Sequence, residues 1–88
     1  MNHPPLRSRF WSDLTSEEFS RLDRERLIAV LPVGATEQHG PHLPMSTDTA
    51  TIDGMVRASL PYLPDDLPVL FLPTVPYGKS NEHSRYPG

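Results

Sequence analysis

Two carboxylates and two imidazoles crowd one short stretch of this sequence: Glu37, His39, His42 and Asp48. Imidazole nitrogen and carboxylate oxygen together suit zinc, manganese, iron or nickel. Zinc takes such donors in fours, and a catalytic site leaves one position to water. Glu37 and His39 are two apart, so in extended chain their side chains point the same way. Gly40 and Pro41 then bend the backbone, which lets Asp48 return to the cluster. A short carboxylate can also bridge two ions, which favours a binuclear centre. Each residue has a plainer reading as well. Asp48 fits a charge favoured at a helix N-terminus, His42 a structural histidine bonded to backbone, and Glu37 with His39 a solvated loop pair. The Glu-Gln-His spacing alone lacks the specificity of an HExxH helix.

The elements that must hold these residues can be read from the apolar pattern. Leu27 to Val33 is a continuous apolar run of strand length, as expected of a strand covered on both faces in a parallel sheet. Gly34 ends it, and residues 34–46 form a loop rich in Gly, Pro and His. A helix is predicted from about Thr47 to Leu60, with Ile52, Met55, Val56 and Leu60 on one face and Pro61 and Pro64 stopping it. Val69 to Leu72 is a second buried-type strand, extending at most to Val75. Before all of this, Thr15 to Asp23 reads as a helix opened by a Thr15–Glu18 capping box. Strand, loop, helix and strand make a βαβ unit, so the fold class is α/β with parallel strands. Both the 34–46 loop and the 77–88 loop leave carboxyl ends of strands, where ligands bind in open α/β sheets. The two loops are therefore expected to meet at one site.

Bulk properties narrow the function. The chain has 88 residues, one small domain at most, with 11 prolines spread along it. A net charge of −3 with both signs interspersed gives no basic stripe, so nucleic acid is not an expected partner. There is no cysteine, which removes thiolate metal sites. Met1 to Phe10 is polar, without an apolar run of signal-peptide length, and no stretch is long enough to span a bilayer. A soluble cytoplasmic protein without membrane partners is expected. The loop after the first strand lacks Gly-x-Gly-x-x-Gly, which disfavours a nucleotide-binding module. The sequence stops at Tyr86-Pro87-Gly88 after a polar loop, as expected of a truncated piece.

At this point the residues resemble a known family. Leu31 to Asp48 (LPVGATEQHGPHLPMSTD) is similar to the first signature of the creatininase family, creatinine amidohydrolase and its relatives. Tyr77 to His83 (YGKSNEH), followed by Tyr86-Pro87-Gly88, is similar to the second. The resemblance covers residues 12–88 and implies the N-terminal portion of a creatininase-like, three-layer parallel-sheet domain, preceded by an irregular arm over residues 1–11. It implies a metal-dependent amidohydrolase that cleaves C–N bonds of small cyclic or linear amides with a metal-activated water. Relatives act on creatinine, on formamidopyrimidine-type intermediates, or on a peptide precursor of a redox cofactor. Two divalent ions are implied, zinc or manganese first and iron next. Glu37 and His39 would each hold one and Asp48 would bridge them. His42, Ser80 and His83 become candidates for substrate contact or for support of the ligands. Further ligands and the catalytic acid/base are expected beyond Gly88, so this chain supplies about half of the site and should be inactive alone. Family members are commonly homo-oligomers, often hexamers. The alternative is a truncated paralogue that binds metal or a partner without turnover.

Overall fold

The structure, a computed structural model, describes residues 5–78 and 84–88. It divides into two compact units, Met1–Leu31 with Ser59–Pro73 and Pro32–Ala58 with Thr74–Gly88. Ser80 and His83 lie outside the described residues. Among the described residues, no helix is long and apolar enough to cross a membrane.

The first unit is organised around two short strands. β1 (Ile28–Val30) and β2 (Val69–Phe71) pair in parallel, in the register Ile28 to Val69 and Val30 to Phe71. The Ile28 amide donates to Pro68 O and the Leu72 amide to Val30 O, each at 2.8 Å. The parallel pairing expected of a βαβ order is therefore present. The expectation that the first strand is buried on both faces is corrected: Ile28 is 42% exposed, whereas Val69, Leu70 and Phe71 are buried, Leu70 completely. The reason lies in strand order. β2 has β1 on one edge and the N-terminal segment on the other, where the Phe71 amide donates to Arg9 O at 2.7 Å and Phe10 bridges to Phe71 in parallel. Among the described residues β1 has a strand partner on one edge.

Arg9 secures that arrangement. Its guanidinium donates to the carbonyls of Pro64 (2.7 Å), Leu67 and Val69 (3.2 Å), so one planar fork ties down the approach to β2. Nearby, α1 (Ser16–Ser20) forms where the capping box predicts a helix: the Thr15 hydroxyl accepts from the Glu18 amide, and the Glu18 carboxylate accepts from the Thr15 amide. Trp11 packs against Phe19 with ring centroids 4.6 Å apart. Arg7 donates through Nε and Nη2 to the two Glu18 carboxylate oxygens, at 2.9 and 3.1 Å. That paired guanidinium, together with the Thr15 amide, lowers the Glu18 pKa from its ordinary 4.5 to about 2.

The second unit holds α2 (Thr47–Ser59), near its predicted bounds. The chain continues as a 3-10 turn over Leu60–Tyr62, because Pro61 has no N–H to extend the α-helical ladder. Of the expected apolar face, Ile52 and Val56 are half-buried, while Met55 is 63% exposed. Val33 bridges to Val75 in parallel, with the Gly34 amide donating to Val75 O (2.7 Å) and the Val75 amide to Pro32 O (2.9 Å). The Thr36 hydroxyl reaches Pro76 O at 2.6 Å. The two loops expected to meet do begin side by side.

Candidate metal site

The 34–46 segment is more regular than a loop. The Glu37 amide donates to Met45 O at 3.2 Å, and His39 bridges antiparallel to Leu43. Residues 37–45 thus fold as a small hairpin with a turn at Gly40 to His42. Gly40 makes the turn possible with φ of 79°, a conformation that costs a Cβ-bearing residue. The Gln38 side chain accepts from the Gly40 amide at 2.9 Å and closes it.

This hairpin presents His39 to the start of α2. His39 Nε2 lies 3.0 Å from Asp48 Oδ1, with His39 side chain 21% exposed and Asp48 42%. His39 Nδ1 lies 3.2 Å from the carbonyl oxygen of Glu37. Asp48 belongs to the first turn of α2, where the helix dipole favours its negative charge. The turn is fixed by the Ala50 amide donating to Ser46 O (2.8 Å) and the Thr47 hydroxyl donating to Pro44 O (2.7 Å).

The ring therefore faces two acceptors, a carbonyl and a carboxylate. An imidazole that gives its one N–H from Nδ1 to the Glu37 carbonyl keeps the Nε2 lone pair as a donor for a metal ion. A histidine that gives its other N–H to a backbone carbonyl is the usual arrangement of an imidazole metal ligand. Two ligand atoms with bonds of about 2.1 Å lie roughly 3.0 Å apart at an octahedral angle and about 3.4 Å apart at a tetrahedral one, so the observed separation matches the short end of that range. The donor chemistry of His39 and Asp48 fits a divalent cation.

The remaining candidates are less concentrated. Among the described residues no three His, Asp or Glu side chains converge closely enough to hold an ion, so Glu37 does not complete a triad with His39 and Asp48 here. His42 is exposed on the turn. An open, mainly apolar cleft of about 440 Å³ lies beside the hairpin, lined by Gln38, Gly40, Pro41, Met45, Tyr86 and Pro87. Residue types alone did not mark Met45 or Tyr86, because single apolar side chains carry no spacing signal.

The elements described are those of a small α/β protein: a two-stranded parallel sheet in the first unit and, in the second, an imidazole–carboxylate pair at the first turn of α2. Residues 12–88 match the family model Creatininase, described as creatinine amidohydrolase, and the chain belongs to that family. It is 40% identical over 82 residues to the mycofactocin precursor peptide peptidase of Mycobacterium tuberculosis (strain CDC 1551 / Oshkosh), covering 86% of this chain and 33% of that protein. It is 45% identical over 64 residues to the protein of the same name from Mycolicibacterium smegmatis, covering 69% of this chain and 26% of the relative. The chain thus spans about a third of the length of the curated relatives it matches. No solved structure matches it.

Proposed function

We propose that this chain contributes to a metal-dependent hydrolase of amide C–N bonds and supplies part of a two-ion site through Glu37, His39 and Asp48. The observation that carries the reading is the 3.0 Å approach of His39 Nε2 to Asp48 Oδ1 within the matched region. The name of the relatives adds a peptide to the range of amide substrates. Zinc or manganese, when bound, supplies the charge that activates water and stabilises the developing oxyanion.

The chain's own residues hold and orient. The Glu37 carbonyl accepts from His39 Nδ1–H and turns Nε2 toward Asp48. Asp48 brings an anionic oxygen, and its second oxygen is available to a neighbouring ion. Glu37 is the third donor in this reading. Three protein donors do not fill two metal positions, and no side chain here is assigned to protonate the leaving nitrogen. The remaining ligands and that acid come from other segments, as does the rest of a three-layer sheet. Among the described residues β1 pairs on one edge, which favours the addition of further strands, within a longer chain or between subunits of a cytoplasmic homo-oligomer.

The second reading is metal or partner binding without turnover, through the two donors His39 and Asp48 that do meet, fewer than a catalytic centre uses. One experiment addresses both. The purified chain is titrated with Zn²⁺ and Mn²⁺ by calorimetry and assayed for hydrolysis of peptide amides. Binding that is lost in His39→Ala and Asp48→Ala, without turnover by the chain alone, is the expected result. Equal binding by both variants overturns the metal reading, and turnover with two ions per chain overturns the shared site.

A further inference from the structure

Gly34 is where three segments of the second unit close on one another. A Cβ at Gly34 would stand 2.8 Å from Thr49 Cα, a separation no real Cβ tolerates. On another side, a Cβ at Gly78 would stand 2.8 Å from the Gly34 carbonyl oxygen. The absence of side chains at both positions thus lets α2 and the 77–78 backbone approach the chain just before the hairpin. Thr49 converts that approach into a bond: its hydroxyl donates to the carbonyl of buried Ala35 at 3.0 Å.

The position of this bond relative to the candidate ligands gives it a consequence. Thr49 is the residue after Asp48, in the same first turn of α2. Ala35 stands two residues before Glu37, at the root of the hairpin that carries His39. The bond therefore spans the two segments that carry His39 and Asp48. Asp53, one turn along the same helix face, adds a second tie by accepting from the Thr74 hydroxyl at 2.5 Å. That tie is farther from Asp48; the Ala50 and Thr47 bonds hold the first turn to the 44–46 backbone, and the Thr49 bond holds it to the hairpin root.

We propose that Gly34 and Thr49 are positioning residues that set the His39–Asp48 separation, and so the affinity of the site for a divalent ion. The inference rests on the metal reading of that pair. Ligand sites tolerate displacements of only about half an ångström before they lose preorganisation. A methyl group at Gly34 pushes the first turn of α2 off the hairpin root. A valine at Thr49 keeps the shape and removes the bond, while leaving the Ala35 carbonyl without this donor.

The test compares Zn²⁺ affinity, by calorimetry on the whole chain, with the thermal unfolding of the metal-free chain. The variants are Thr49→Ser, Thr49→Val, Gly34→Ala and Asp48→Ala. Thr49→Ser keeps the hydroxyl and is expected to bind within threefold of the parent. Thr49→Val and Gly34→Ala are expected to bind at least tenfold more weakly while folded. The visible spectrum of bound Co²⁺ should change in both and stay parental in Thr49→Ser. Parental affinity in Asp48→Ala overturns the metal reading itself. Loss of binding in Asp48→Ala, with parental affinity and spectrum in Thr49→Val and only a lower unfolding temperature, overturns the positioning role alone. If Thr49→Val or Gly34→Ala does not fold, Thr49→Ala decides, because it removes the hydroxyl without adding bulk: a tenfold loss there beside parental Thr49→Ser sustains the role, and parental binding overturns it.

Discussion

Arg9 and His39 answer the same problem, a nitrogen-rich side chain near backbone and polar oxygen, in opposite ways. In the first unit the Arg9 fork meets, among the described residues, the carbonyls of Pro64, Leu67 and Val69. Donors and acceptors match in kind, and the result is a clamp that holds β2 in place. In the second unit the His39 ring lies between the Glu37 carbonyl and the Asp48 carboxylate. There the Glu37 carbonyl orients the ring and the carboxylate stands 3.0 Å from Nε2, a nitrogen–oxygen pair of the kind a divalent cation takes. The first arrangement builds structure, and the second is the one proposed to serve a site.

That contrast predicts that changes in the first unit alter stability and leave metal affinity of the folded chain unchanged, with the reverse in the second. The largest effect is expected for Leu70→Ala, which empties a fully buried position and should cost about 2–5 kcal/mol. Denaturant unfolding measures it, and Zn²⁺ affinity per folded molecule should stay parental. In the second unit, Zn²⁺ at about a hundredfold excess over its dissociation constant should add about 2.7 kcal/mol to the parent. It should add nothing to His39→Ala. A His39→Ala chain that Zn²⁺ stabilises as strongly as the parent would break the contrast.

A smaller change is expected for Thr15→Ala, which removes the α1 cap and should cost about 1 kcal/mol. The smallest concerns acid. The Glu18 pKa is depressed, so its contribution to stability is present above 4.5 and is lost as pH falls toward 2. Unfolding temperature in the parent should therefore drop more steeply than in Glu18→Gln across that window. Added salt should shrink the difference, because the Arg7–Glu18 pair is exposed to solvent.

The features legible in the sequence are those set by neighbours in the chain. Thr15 and Glu18 are three apart, and the capping box forms as their types require. Asp48 follows a turn-rich segment and opens α2, and the pairing of β1 with β2 in parallel follows from the helix between them. The hairpin around Gly40 was harder to see, since its pairing depends on a positive φ that the Gly40-Pro41 bend marks without specifying. The exposure of β1 was not legible at all. An apolar run states what a strand can bury, and strand order decides what it does bury; that order depended on Phe10 and Arg9 reaching Phe71. The Gly34–Thr49 approach is hidden for a related reason, because a glycine needed for space looks the same as one needed for a turn.

The Arg9 clamp also has a bearing on how the chain is made. Arg9 emerges from the ribosome before its partner carbonyl at Val69, which lies 60 residues later. The N-terminal segment thus waits, unprotected, for β2 to be synthesised before it can dock. Contacts this distant in sequence slow folding and lengthen the interval in which a chaperone or a protease can act. The segment around Arg9 should become resistant to proteolysis only after β2 has docked against it.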